Sequence, residues 1–411
     1  MTTTEKLISQ SAEDSGQKDS VLGIFLIFLR LGLTSFGGPI AHLGYFREEF
    51  VNRRRWIGER SYADLVALCQ FLPGPASSQV GMALGLSRRG YSGAFAAWAG
   101  FTVPSAIGLI LFALSISSHG TAIPAGALHG LKVVAVAVVA QAVWGMARNL
   151  CTDIPRIVIM MVAACIALLA PSAPGQVGII AAAGVAGILL FKPESAKDHE
   201  PLPVTISHRA GVLWLTLFFG LLFGFPLLTA LLPYQSITQV SAFFRSGALV
   251  FGGGHVVLPL LQAAVVPPGW VSNDAFLAGY GAAQAIRGPL FTFAAFLGAS
   301  MNAALTGWIG GMICLLAIFA PSFLLVAGAL PFWEQLRREM RMQASLMGVN
   351  VAVVGLLLAA LYHPVWTSAI HQSRDFGMAV VALIALMFWK LPPWLVVLGS
   401  GGAGWLLSAA G

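Results

Sequence analysis

The stretch Phe28–Leu43, FLRLGLTSFGGPIAHL, recurs as Phe243–Leu258, FFRSGALVFGGGHVVL, and its reading decides the fold. In each copy an arginine, Arg30 or Arg245, stands seven residues before a glycine pair, Gly37-Gly38 or Gly252-Gly253, inside an otherwise apolar segment. An ionisable group in such a segment is expensive and calls for a partner or a ligand. Paired glycines weaken a helix and let backbone N–H groups turn outward. Each copy reads as a broken helix beside an anion.

The surrounding composition supplies the bilayer. Of 411 residues 57% are hydrophobic and 9% charged, with a mean hydropathy of +0.82, against roughly 25% charged residues in soluble domains. The chain is a polytopic membrane protein. Behind its net charge of +7, the placement of the positives and not their sum reports which loops stay cytoplasmic, and the charge is no sign of nucleic-acid binding. Cys69, Cys151, Cys165 and Cys314 are scattered singly, so neither a metal site nor a disulfide framework is expected. There is no phosphate-binding loop and no dinucleotide fingerprint, so no cofactor is expected and energy should come from an ion gradient or the membrane potential.

Residues 1–20 read as a disordered cytoplasmic tail without a secretory signal pattern. A first transmembrane repeat over 21–191, a cytoplasmic linker with a connecting span over 192–236, and a second repeat over 237–411 follow. The first repeat opens with apolar segments near Val21–Tyr45 and Ala63–Leu86. The latter contains FLPGPASSQ, and Pro73-Gly74-Pro75 must break it, because the prolines remove N–H donors and clash with the preceding turn. Arg47, Arg53, Arg54, Arg55 and Arg60 precede it, and Arg88 and Arg89 follow. A single crossing would put one basic loop outside, so a re-entrant hairpin turning at the prolines is expected. Irregular backbone at membrane depth survives only beside protein or a water-filled cavity, which points to a transport path. Spans of ordinary length follow near 93–117, 122–147, 154–170 and 175–191, then the linker and a span near 211–233.

At an offset drifting from 214 to 218, Trp56 matches Trp270, Gln70 matches Gln284, Gly74-Pro75 matches Gly288-Pro289, Pro104-Ser105 matches Pro321-Ser322, and Gly130 matches Gly348. One order kept through both halves means internal duplication. Loop 263–273, the counterpart of the arginine-rich one, has no Lys or Arg, whereas Arg337, Arg338 and Arg341 follow a span near 307–331. The charge has changed sides, so the second copy is inverted. Spans near 342–362, 376–390 and 393–410 finish the chain. The fold class is all-α, with two inverted-topology repeats of broken, re-entrant helices joined by one extra transmembrane span, the plan of secondary transporters with a site near the midplane.

The sign of the ligand follows from the buried charges. Arg30, Lys132, Arg245 and Arg287 fall in membrane segments, while the carboxylates read near such segments, Asp64 and Asp274, lie at their ends. That balance favours a small oxyanion held by guanidinium forks and N–H donors. The candidate binding set is Arg30, Gly37, Gly38, Pro39, Gln70, Pro73, Gly74, Pro75 and Gln79 with Arg245, Gly252, Gly253, Gly254, Gln284, Arg287, Gly288 and Pro289. Ser77 and Ser78 are further neutral donors. His42 and His255 flank the glycine turns and are candidates for proton coupling. Plainer readings stand beside these: arginines that snorkel, glycines that tighten helix packing, glutamines and histidines satisfied in the core. For Lys132 snorkelling is the favoured reading. An intramembrane lipid-modifying enzyme could hold phosphate with similar parts, but would need a positioned base or nucleophile.

The segments SFGGPIAHLGYFREEFV, WIGERSYADLVALCQFLPGPASSQVGMALG and SRRGYSGAFAAWAGFTVPSA, with FGGGHVVLPLL and GYGAAQAIRGPLFTFAAFLGA, resemble the two halves of a bacterial chromate transporter of the long-chain CHR family. The likeness covers nearly all of the chain from Val21 onward. It implies secondary active efflux of chromate across the inner membrane, driven by the proton-motive force, conferring chromate resistance, with sulfate as analogue and alternative substrate. It implies a transporter and not an enzyme; the charge distribution puts the amino terminus in the cytoplasm and the carboxyl terminus in the periplasm, and a homodimer is a candidate assembly for a transporter of this size. One departure stands out: QAIRGPL carries Arg287 where the pattern has a proline, which adds a cation and removes a helix breaker.

Overall fold

Among the described residues, 20–35, 38–118, 124–193, 206–336 and 339–409 of a computed structural model, every regular element is helical. α1 (Val21–Thr34) starts at Ser20, whose hydroxyl accepts from the Gly23 N–H, and ends at Ser35. Its length, about 21 Å, falls short of a ~30 Å hydrocarbon core. α2 (Gly38–Arg47) and α3 (Glu59–Phe71) are shorter still. α4 (Ala76–Ser118) breaks at Arg89-Gly90, where Gly90 takes φ +62°. Its short limb therefore pairs with α3 as a hairpin tipped by Pro73-Gly74-Pro75, and its long limb crosses. α5 (Ala125–Leu150), α6 (Ile154–Leu169) and α7 (Ala173–Leu190) complete the repeat.

α8 (His208–Leu231) joins the halves and leaves Leu213, Phe219, Phe223 and Leu227 exposed, a face for lipid. The second repeat runs α9 (Gln235–Ala248), α10 (Val257–Val265), α11 (Asn273–Ala283), α12 (Phe293–Ser300), α13 (Gly307–Ala329), α14 (Trp333–Leu336), α15 (Met340–Ala360), α16 (Thr367–Ala369), α17 (Ser373–Met387) and α18 (Pro393–Ala409). Six helices among the described residues are long and apolar enough to cross a membrane, including α5, α7, α8 and α13.

The inversion is visible where equivalent helices meet. The long limb of α4 packs on α13 through Tyr91 against Phe323 and Trp98 against Phe319, while a Cβ on Gly311 would fall 2.8 Å from Ile110. Numbers rise on one helix as they fall on the other, so the two equivalents run antiparallel, as an axis in the membrane plane requires. The repeats also exchange their ends: α17 and α18 pack on α5, and α6 and α7 pack on α15. Gly130 and Gly348 make matching close crossings in that exchange. A Cβ on Gly130 would lie 2.1 Å from Ser400 O, and one on Gly348 2.0 Å from Ala183 O. Backbones this close leave no room for a side chain, which is how small residues bring membrane helices together.

Two sequence expectations are corrected here. Acidic groups are not confined to Asp64 and Asp274 at segment ends, since Glu49 and Asp375 are also buried, each beside cationic or histidine partners. Lys132 does not snorkel to an interface; its ammonium meets Asp274 across the repeats. Gly37, Arg337, Arg338, residues 1–19 and linker residues 194–205 lie outside the described residues.

Candidate functional site

The broken turns of the two repeats converge. Gly74 donates its N–H to Val250 O at 2.7 Å, tying the proline turn of the first repeat to the glycine turn of the second. The Arg287 guanidinium donates to Leu33 O at the end of α1, so the second repeat's proline turn is tied back to the first repeat's glycine turn. Between them lies a cavity of about 1020 Å³. Ser35, Gly38, His42, Gln70 and Gly74 line it from one repeat, and Gly252, Gly253, Gly254, His255, Gln284, Arg287 and Gly288 from the other.

Each proline turn is seated by the opposite repeat. A Cβ on Gly74 (φ +125°) would come to 2.4 Å from Ser322 Oγ, and one on Gly288 (φ +103°) to 2.5 Å from Ser105 Oγ. Both the left-handed backbone and the close approach demand glycine. Ser105 also donates its hydroxyl to Arg287 O. Thus the Pro-Ser step of each crossing helix carries the other half's turn. Gln79 is spent on its own turn, its Nε2 donating to Pro73 O at 2.7 Å, and does not face the cavity.

The remaining wall comes from elements whose part the sequence reading missed. Val138, Gln141, Ala142, Gly145, Met146, Asn149 and Leu150 form one stripe along the C-terminal half of α5, Asn350 projects from α15, and the α17–α18 turn contributes Lys390 to Trp394. A signal was present: Gln141, Gly145 and Asn149 recur every fourth residue in an apolar span, the mark of one polar helix face.

Charge on this wall is one-sided. Arg287 and Lys390 bring its basic side chains, and no carboxylate is among the described residues that line the cavity. Ser35 Oγ and His42 Nδ1 are buried there without a hydrogen-bond partner among the described residues, and unpaired buried polar atoms of that kind are costly unless a ligand or water satisfies them. His42 packs edge-on against Phe101, and His255 Nδ1 lies 2.9 Å from Tyr280 Oη. The wall offers positive charge from the second half and donors from both, the requirements of a small oxyanion. No cluster of three or more His, Cys, Asp or Glu able to hold a metal occurs among the described residues.

Several expected site residues are elsewhere. Arg30 does not reach the wall; its Nη2 lies 2.5 Å from Glu49 Oε2, and Glu49 also takes Arg54 at 2.6 Å and Arg53 at 3.2 Å. Burial pushes the Glu49 carboxyl up, but the Arg54 hydrogen bond and the charges of Arg30 and Arg53 outweigh it and hold the group below its ordinary value. Arg30 is therefore an anchor between α1 and the π-helical turn Glu48–Arg53 that continues α2. Arg245, half-buried in the last turn of α9, is also off the wall. At an offset of 214, the position matching Glu49 is Ala263, so the second repeat has no equivalent hub. Pro73, Pro75 and Pro289 shape the turns without lining the cavity, and the side chain of Pro39 is outside the described residues.

The chain is similar in sequence to known proteins along nearly its whole length. The model of the family described as Chromate transporter matches residues 22–188 and again 237–405. A chromate transport protein of Pseudomonas aeruginosa is 30% identical, with 93% of this chain and 92% of that protein covered. An uncharacterized transporter of Methanocaldococcus jannaschii is 26% identical with 94% of each covered, and a chromate transport protein of Cupriavidus metallidurans is 24% identical with 93% and 92% covered. No solved structure matches. Two matches of one family model, falling on two repeats that share a cationic cavity, mean that the chain belongs to the chromate transporter family, a family of membrane transporters and not of enzymes.

Proposed function

We propose that the protein exports chromate across the inner membrane by secondary active transport and so confers chromate resistance. The observation that carries the reading is the cavity between the repeats, which has Arg287 and Lys390 in its wall and no carboxylate among its described lining residues. A dianion entering it meets a guanidinium from the α11–α12 turn and an ammonium from the α17–α18 turn. N–H groups of the glycine turns and the Gln70 and Gln284 amides complete its shell. Taking the arginine-rich loops as cytoplasmic, the mouth by Asn149, Leu150 and Lys390 faces the cytoplasm, as loading for export requires. The amino terminus is then cytoplasmic and the carboxyl terminus periplasmic. His42 and His255, one in each repeat and both on the wall, are the groups through which proton antiport would couple.

The test is chromate uptake into everted vesicles with an imposed pH gradient. Uptake should exceed that of vesicles without the protein, collapse with the gradient, and be competed by sulfate. Equal chromate accumulation with and without the protein overturns the reading. A lower half-saturation for sulfate than for chromate would reassign the substrate within the divalent oxyanions.

A further inference from the structure

The cavity opens at one end, and equivalent helices of the two repeats stand in opposite states there. On α5 the wall stripe starts at Val138 and runs to Leu150. N-terminal to it Val133, Val134 and Ala135 are wholly buried. Two polar contacts join the repeats at this closed end: Lys132 Nζ donates to Asp274 Oδ1 at 3.0 Å, and His129 Nε2 lies 2.8 Å from Asp375 Oδ1. From His129 to Val138 is about 13 Å of helix, the thickness of the seal.

α15 shows the reverse. Only Asn350 touches the cavity from it, and the C-terminal half, including Val353, Leu356 and Ala359, is buried. The matching crossings of Gly130 and Gly348 fix the register of the two helices at an offset of 218. In that register Asn350 is the counterpart of Lys132, and Ala359 the counterpart of Gln141.

We infer that Lys132 is a further cation of the anion path, capped by Asp274 while the far end is closed and bared to the substrate when the repeats exchange states. In inverted repeats the second state is reached when each half adopts the conformation of the other. Lys132 then takes the place Asn350 holds now, on the wall. The pair suits such a release. The Lys132 side chain is 13% exposed and needs a counter-charge, whereas Asp274 is 70% exposed and keeps its hydration when they part. An arriving dianion replaces the carboxylate. The inference rests on the reading of the chain as an alternating-access oxyanion transporter.

The test uses the full chain with Cys69, Cys151, Cys165 and Cys314 replaced by alanine, and a membrane-impermeant thiol reagent applied to either face of sealed vesicles. Gln141→Cys should react from the face of the arginine-rich loops and Ala359→Cys from the opposite face, with chromate shifting the two rates in opposite directions. Adding Asp274→Asn should raise Ala359→Cys labelling severalfold. Lys132→Gln should lower chromate transport about tenfold while labelling of Ala359→Cys persists, with partial recovery in Lys132→Arg. Ala359→Cys that stays unreactive from both faces, or Lys132→Gln that transports at the parent rate, overturns the inference. Labelling requires no identified substrate, so two-faced labelling that chromate neither shifts nor exploits supports the gate and rejects chromate as the ion.

Discussion

The two proline turns occupy equivalent places and are built differently. Pro73-Gly74-Pro75 is closed by rings and by the Gln79 amide folding back on Pro73 O, and it brings no charge. Ile286-Arg287-Gly288-Pro289 gives up one ring, and its arginine instead reaches Leu33 O and lines the cavity. The backbone path and the seating serine are shared, because each turn lies on the Pro-Ser step of the opposite repeat. Duplication has thus fixed the geometry while the chemistry has diverged. One half supplies rigidity at its turn and the other places a basic side chain on the cavity wall.

Substitution at the shared glycines should have the largest effect. Gly74→Ala and Gly288→Ala each combine a left-handed backbone with a clash on a serine oxygen, and each should cost about 2–4 kcal/mol of stability in detergent unfolding. Ser322→Ala should partly rescue the first and Ser105→Ala the second. Rescue of one alone would show that the seating is not reciprocal. Next comes the divergent position. Arg287→Gln removes a charge-assisted donor, which at about 1.5–3 kcal/mol raises the half-saturation for chromate some ten- to a hundredfold. Arg287→Pro restores the ring and should lose as much; parental kinetics there would make turn rigidity, not charge, the role of this residue.

Smaller effects belong to the anchor outside the cavity. Arg30→Lys should leave the half-saturation unchanged and lower stability by less than about 1 kcal/mol, since the guanidinium is half exposed and, among the described residues, pairs with Glu49 alone. A large kinetic change would return Arg30 to the path. The pH dependence of that hub is the mildest expectation. The Glu49 carboxyl is held below its ordinary value in the fold, so its contribution is complete above the unfolded value of about 4.3 and is lost as pH falls through the depressed one. Thermal unfolding of the parent should show an acid limb below about pH 4.3 that flattens in Glu49→Gln.

Much of the site was legible because its makers are local. Gly74, Gly288 and the Gly252–Gly254 run stand out from composition alone, and all line the cavity. Arg287 stood out as a departure between aligned halves. Arg30 misled, because its recurrence at Arg245 suggested a common role while its partner Glu49 lies 19 residues away in an apparently solvated loop. Lys390 went unread, since a lysine ending a span looks like an interfacial anchor until the α17–α18 turn is brought to the cavity wall. Lys132 and Asp274 were each seen singly, and only the packing of α5 on α11 makes them a pair.

The sequence by itself determined that the chain is a membrane protein, where its helices break, and that its halves are duplicated and inverted. Those properties are set within a turn or a loop: a proline lacks its N–H wherever it stands, and basic loops select their side of the bilayer one by one. Tertiary structure decided which charges meet the cavity and which are neutralised. That choice is made through space, by side chains brought together from distant helices, and a charge in low dielectric takes its role from whatever lies within a few ångströms of it.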